Sequence, residues 1–413
     1  MNIMILTAGS RGDVQPFVAL GRGLTAAGHT VTLAGPRQFD SFVTSNGLAF
    51  SPVNDDLLRL KDTASGQQAM EGGGKLALIK QVMPMLRKML HDASDAAAEI
   101  RPDAIVYHPK ALAGIHLAEK YGIPGYLTLP LPLTAPTREF PVPIVTGSFG
   151  GFLNRLSYGA AFRAIVMPYM GMINTWRAET LGLRKLSRLH SMTHTSDGTP
   201  ANQLLAFSTH VVPRPADWPD HICVTGYWTL DDARPWQPSE ELERFLDSGP
   251  APVYVGFGSM VGTDAAGTAQ TVIDALKKAG QRGVIASGWG GLRADSAPAH
   301  IHIIDEAPHD KLFPLMSAVV HHGGSGTTAA GLTAGKPTVV VPFTADQPFW
   351  GARVHALGAG PAPISKRRLT VDALAAAIDQ AVNSPDMRAT AERIGAALRA
   401  EDGVAKAVEV IAG

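Results

Sequence analysis

Short apolar runs recur along the chain, each followed by a stretch with helical spacing, and this alternation limits the fold more than any other feature. "IMIL" (3–6), "TVTLA" (30–34), "AIVYH" (104–108) and "GYLTL" (125–129) read as strands. Residues 14–28 and 111–120 read as helices, with Gly28 placed to end the first. The pattern restarts at "PVYVGFGS" (252–259) and continues through "GVIAS" (283–287), "IHII" (301–304), "AVVHH" (318–322) and "PTVVVP" (337–342). Helices are expected at 268–280, from 325 and from 346. Apolar strands separated by helices form parallel sheets covered on both faces. Two doubly wound α/β domains facing each other are the simplest arrangement, alike in element order but not joined by any sequence repeat.

The expected boundaries are 1–227 for the first domain, 228–242 for a linker and 243–394 for the second domain. The linker "WTLDDARPWQPSEEL" mixes acidic residues, prolines and tryptophans between two regular series. Residues 130–176 interrupt the rhythm, first proline-rich and then rich in methionine and aromatics. An insertion of loops and short helices and ordinary core of the first domain both suit that composition. Lys+Arg and Asp+Glu each number 36, which speaks against a nucleic-acid binder. The single cysteine, Cys223, allows no internal disulfide and suits a reducing compartment, so a cytoplasmic location is expected. The first strand starts at the second residue without a basic leader, so no signal peptide is expected. No apolar stretch reaches the roughly 18 residues of a membrane span.

The chemistry concentrates at strand ends. Past "AVVHH", Gly323, Gly324, Ser325, Gly326 and Thr327 open a helix, so close backbone approach, free amides and the helix dipole suit an anion, with His322 beside it. A tight turn capped by Ser325 is the alternative. Asp346 and Gln347, after the next strand, suit sugar hydroxyls, or else Asp346 caps a helix. The first loop carries Ser10, Arg11 and Asp13, where Asp13 is either a cap or, facing a cleft, a general base. There is no G-x-x-x-x-G-K-[ST], no H-E-x-x-H and no Asp-x-Asp pair, which sets P-loop and metalloprotease readings aside.

Taken together, "GSRGDVQPFVALGRGL", "YVGFGSM", "SGWGGL", "EAPHDKLFP", "VVHHGGSGTTAAGLTAGKPTVVVPFTADQPFWGARV" and "PISKRRLT" resemble family-1 glycosyltransferases. The branch they resemble contains the sterol 3-beta-glucosyltransferases and bacterial antibiotic and macrolide glycosyltransferases. The resemblance covers residues 1 to about 50 and about 221 to 370, and leaves the acceptor region at 55–200 without a motif. It implies the GT-B fold, two Rossmann-like domains across a cleft, with the donor on the second and the acceptor on the first. It also implies a final helix, from about 395, that crosses back to the first domain. Inversion without a metal or other cofactor is implied as well, with UDP-glucose as co-substrate.

By the same resemblance, His322, Gly324, Ser325, Gly326 and Thr327 would hold the diphosphate, and Asp346 and Gln347 the hexose. Ala307 and His309 would lie against uracil and ribose, and Ser259 near the phosphates. Ser10 and Arg11 would reach the donor, and Asp13 would be the catalytic base. Three positions depart from the family pattern: Asp13 replaces a histidine that plant members back with an aspartate, Glu306 replaces a uracil-stacking tryptophan, and Lys311 replaces another tryptophan. Trp289 offers an alternative aromatic face.

The expected activity is transfer of glucose to a hydroxyl of a lipophilic acceptor, a sterol or a polycyclic or macrocyclic natural product. The rivals are a dTDP-deoxysugar transferase, a nucleotide-sugar epimerase and a nucleotide-binding module without catalysis. Partners are a nucleotide sugar and a small acceptor, with no nucleic acid. A peripheral membrane contact through 130–176 is a further expectation.

Overall fold

The computed structural model describes residues 1–60, 75–230, 236–258, 265–287 and 297–413. Seven parallel strands form the first sheet: β1 (Asn2–Leu6), β2 (Thr30–Pro36), β3 (Ala49–Val53), β4 (Ala104–Tyr107), β5 (Gly125–Leu129), β6 (Asn202–Leu205) and β7 (Ile222–Val224). Their order is β3-β2-β1-β4-β5-β6-β7, with Ile3 paired to Val31 on one side and Ala104 on the other. The second sheet holds β8 (Val253–Gly256), β9 (Gly283–Ala286), β10 (Ile301–Ile304), β11 (Ala318–His321) and β12 (Thr338–Val340), ordered β10-β9-β8-β11-β12 and also parallel. Both sheets therefore reverse direction beside their first strand, and ligands of such folds bind at the carboxyl ends there.

Strand alternation builds the cores. Ile3 and Ile5 join one hydrophobic cluster while Met4 and Leu6 join another, so β1 is buried on both faces. Two strands escape a pattern search. β3 carries Pro52 at the sheet's edge, where a missing amide costs no ladder bond, and β6 opens on the polar pair Asn202–Gln203.

Residues 130–176 are neither wholly loop nor wholly core. After an irregular stretch, Gly150 (φ 84°) leads into the helix Gly151–Val166, a short turn at Met167–Tyr169, the helix Met170–Trp176 and a wide turn at Arg177–Leu181. The result is an almost unbroken rod, longer than the short helices expected from the sequence. Its methionine-rich half is core, since Met170, Met172, Ile173 and Trp176 pack against Leu86 and Leu90 of the helix Lys75–Ile100.

The two sheets share a third cluster, in which Phe207, Val211 and Trp218 of the first domain meet Leu332, Val340, Trp350 and Leu398 of the second. Arg353 reinforces it by donating to the Val211 carbonyl from Nε and Nη2, at 3.0 and 2.9 Å. At the linker's ends, Trp228 stacks edge-on against Phe17 (5.9 Å) and Trp236 packs in the second domain; residues 231–235 lie outside the described residues. The last helix, Gly403–Ala412, places Ala407 and Ile411 in the cluster of the first helix, Arg11–Ala26.

That return depends on one close approach. A Cβ on Gly403 would sit 2.5 Å from the Tyr227 carbonyl oxygen and 2.6 Å from the Gly226 carbonyl carbon, both backbone. Gly403→Ala is expected to cost about 1–3 kcal/mol, as overpacking against a rigid neighbour does. Gly171→Ala, in open space on a helix, is expected to gain about 0.5–1 kcal/mol. Urea unfolding of the two variants side by side measures the difference.

Candidate active site

Asp13 stands three residues past Ser10, the N-cap of the first helix. Its Oδ2 accepts the Ser10 amide at 2.8 Å and the Ser10 hydroxyl at 3.2 Å. Gly9 (φ 127°) makes this possible, because a Cβ there would lie 2.2 Å from Oδ2. The capping and functional readings are therefore compatible: one carboxylate oxygen serves the helix and the other does not. Oδ1 receives the Lys110 ammonium at 2.7 Å and faces His108 Nε2 at 3.6 Å.

Both partners come from the loop after β4, the strand beside β1, and neither was singled out in the sequence. The available signal was "YHPK" at a strand's carboxyl end next to the switch in strand order. His108 is 3% exposed, and its Nδ1 accepts the Lys110 amide at 3.1 Å. Its proton therefore sits on Nε2, toward Asp13. Burial drives this imidazole down to about 4, assisted by Lys110 and opposed by Asp13. Burial would raise the Asp13 carboxyl, but Lys110, His108 and the Ser10 amide together hold it below its ordinary value.

In the second domain, β11 ends at His321, which is fully buried and whose Nδ1 accepts the Gly323 amide at 2.8 Å. The chain turns at Gly323 (φ 89°), where a Cβ would strike Val340 Cγ1 at 2.6 Å. Gly324, not Ser325, is the N-cap of the helix Ser325–Thr333. The first intrahelical bond is Thr328 N–H to Gly324 O, so the amides of Ser325, Gly326 and Thr327 precede it. His322 leans over this turn, half-buried; its Nδ1 has no hydrogen-bond partner, and burial keeps the ring neutral. The three amides ahead of the first helical bond and the helix dipole suit an anion, with the Nε2 edge of His322 against the same turn. The Ser325 hydroxyl donates to the Pro130 carbonyl of the opposite domain at 3.1 Å, so the cradle touches the cleft's other wall.

Asp346 precedes the helix Gln347–Ala356, after Ala345 in left-handed backbone (φ 55°). It makes no side-chain cap bond; instead Oδ2 accepts the Trp350 indole N–H at 2.9 Å. Burial raises its carboxyl, Trp350 and Lys110 pull it back, and Asp13 pushes it further up. Asp13, Lys110 and Asp346 thus share one electrostatic site across the cleft. Gln347 is buried, with Oε1 accepting the Phe343 and Thr344 amides at 2.7 and 3.0 Å.

His309 stacks on Phe313 (4.3 Å) beside half-buried Ala307, and burial takes its ring down to about 4. Arg11 is exposed, donates to Gln15 and lies over Phe42 at 4.9 Å, against its own domain. Ser259 and Trp289 lie outside the described residues. Beside Lys110, a narrow apolar pocket lies between Ala8, Val53, Leu86, Met89 and Ala93.

Two parallel-sheet domains that face each other across a cleft, with helices alternating with strands, make the GT-B fold. The glycosyltransferase family 28 N-terminal domain matches residues 3–139, and the erythromycin biosynthesis protein CIII-like C-terminal domain matches residues 284–411. Two Arabidopsis thaliana sterol 3-beta-glucosyltransferases, UGT80A2 and UGT80B1, are 37% and 36% identical over 99% of this chain, which spans 65% and 67% of their lengths. That of Aspergillus fumigatus is 36% identical over 100% of the chain, which spans 30% of it. The kitacinnamycin glycotransferase superposes with a TM-score of 0.74 at 20% identity, covering 99% of this chain and 98% of that one. The calicheamicin glycosyltransferase CalG4 superposes at 0.71 and 18% identity, covering 100% and 97%. The chain belongs to the glycosyltransferase family that contains the sterol 3-beta-glucosyltransferases.

The buried imidazole of His108 has a thermodynamic consequence. Its folded-state value, about 4, is below the ordinary 6.5, so between these pH values the unfolded chain binds the proton better. Stability therefore rises with pH across this window, by up to about 3 kcal/mol from this group. His309 acts in the same direction. His108→Gln, which keeps an acceptor for the Lys110 amide, is expected to flatten the profile by up to one proton, read from urea midpoints between pH 4 and 6.5.

Proposed function

We propose that this chain transfers glucose from UDP-glucose to a hydroxyl of a lipophilic acceptor, with inversion and without a metal. The observation that carries this reading is Asp13: it holds Lys110, which lines a narrow apolar pocket, and lies within electrostatic reach of Asp346 on the opposite domain. The names of the plant and fungal relatives support a sterol as the acceptor and glucose as the sugar. The acceptor would lie among Ala8, Val53, Leu86 and Met89, its hydroxyl toward Asp13. The diphosphate would rest on the amides of Ser325, Gly326 and Thr327 beside His322, and the hexose hydroxyls on Asp346 and Gln347.

In this mechanism Asp13 takes the hydroxyl proton while the acceptor oxygen bonds to the anomeric carbon. The bond from that carbon to the diphosphate oxygen breaks, and UDP leaves with the electron pair from the face opposite the attack. The glycine-turn amides and helix dipole stabilise the charge that accumulates there. Since Lys110 and His108 depress Asp13, the proton moves late, once the acceptor oxygen has lost charge to the sugar.

Asp13→Asn is expected to reduce turnover with UDP-glucose and a sterol by about 10²–10⁴-fold while UDP affinity stays unchanged. Full turnover in this variant removes Asp13 from the chemistry. Lys110→Met is expected to move the acidic limb of the kcat/KM profile to higher pH, because the carboxyl regains its ordinary affinity for a proton. A larger melting shift with dTDP than with UDP identifies a thymidine donor instead. UDP-glucose consumed without acceptor points to an epimerase.

A further inference from the structure

The outward face of the helix Gly151–Val166 is apolar, where a surface helix is ordinarily polar. Asn154, Tyr158 and Val166 turn inward, while Phe152, Leu153, Leu156 and Ile165 are 70%, 53%, 52% and 51% exposed. Phe149 precedes them and Met167 follows, each half exposed. Phe152 and Leu156, one turn apart, share a direction, and exposed apolar side chains grouped in this way mark an interaction site.

The segment that carries it has an excess of cations. Residues 140–190 carry six cations, Arg155, Arg163, Arg177, Arg184, Lys185 and Arg188, against one acid, Glu179, in a chain whose overall balance is zero. Arg177 is buried against Glu119, and Arg155 pairs with Asp217 at 3.3 Å. Arg163, Lys185 and Arg188 are exposed. The last two lie along the same rod, because Asn174 holds the Leu186 main chain at both its carbonyl and its amide, at 2.9 and 2.7 Å. Leu189, between Arg188 and His190, is itself 65% exposed.

We propose that this face docks the protein on an anionic lipid bilayer, with Phe152, Leu153 and Leu156 entering the acyl boundary and Arg163, Lys185 and Arg188 against the headgroups. Charge complementarity selects this occupant. A second copy of the chain would oppose the basic margin with an equal one, because a two-fold contact pairs like surfaces. The contact is superficial, since no helix among the described residues is long and apolar enough to cross a membrane. Val166 and Met170 of the rod also share a cluster with Leu86, Leu90 and Ala93, which line the apolar pocket. Docking would thus bring that pocket toward the bilayer; delivery of an acceptor from lipid rests on the transfer reading, whereas docking does not.

Flotation of the whole protein without any substrate tests the proposal. The protein is expected to float with vesicles of phosphatidylcholine and phosphatidylserine at about 7:3, and at least about tenfold less with phosphatidylcholine alone. Phe152→Glu/Leu156→Glu is expected to lose flotation by about tenfold, with the melting shift given by UDP unchanged. Phe152→Ser/Leu156→Ser gives the same comparison if the acidic pair unfolds. Arg163→Glu/Arg188→Glu is expected to weaken flotation and its salt dependence. Absence of flotation at low salt, flotation indifferent to phosphatidylserine, or a wild-type dimer that the Phe152/Leu156 variant turns into a monomer would overturn it.

Discussion

The burial of Trp350 ties the domain interface to Asp346. Its ring is fully inside the cluster shared by the two domains, and its N–H holds Asp346 at 2.9 Å. One side chain therefore anchors the domain interface and aims a carboxylate of the candidate donor site. An aromatic ring suits both tasks, since its area drives burial while its N–H requires a partner. The Arg353 bonds to Val211 lie one helical turn further on, so the same helix ties the domains at two points. Without that interface, Asp13 and Asp346 would belong to separate molecules in electrostatic terms.

The charge pattern that results is economical. Two carboxylates and one ammonium sit near the reacting region, and the histidines at the cleft are kept neutral by burial rather than charged. Under the proposed transfer, a departing diphosphate would find its stabilisation in backbone amides and a helix dipole, which need no counter-charge and do not reorganise. The glycine turn that would supply those amides is tight. Gly323 has no room for a Cβ beside Val340, and Gly324 none beside the His322 ring.

Much of this was legible in the sequence because it follows local rules. The apolar period gave the α/β class and the parallel sheets, and the glycine run at the end of "AVVHH" pointed to an anion cradle. What stayed hidden is non-local. His108 and Lys110 belong to no motif; they matter because strand order puts β4 beside β1, which no period within either segment reveals. Trp350 reads as one more apolar helix residue until its neighbour at i−4 proves to be Asp346. A proline obscures the pattern of β3, and polar residues that of β6. The rod from 151 to 181 hid because its exposed face is as apolar as its buried one, so helical periodicity is nearly erased.

The pairing of Asp13 with His108 bears on the family pattern. Where plant members place a histidine backed by an aspartate, this chain places the aspartate foremost, and the histidine stands behind it with its proton toward the carboxylate. Reversing the order changes what each group can do. A histidine in front is a base near neutral pH, and a carboxylate behind strengthens it. A carboxylate in front is charged throughout the neutral range, and a buried neutral histidine behind it only orients and weakens it. Such a base gains strength when its other partner withdraws. Lys110, whose side chain is 58% exposed, is that partner and also lines the pocket. Under the proposed transfer, an apolar acceptor that displaced the ammonium from Oδ1 would leave the carboxylate less solvated and more basic at the moment a hydroxyl arrives. Occupancy of the pocket and activation of the base would then be one event, set by the position of a single lysine.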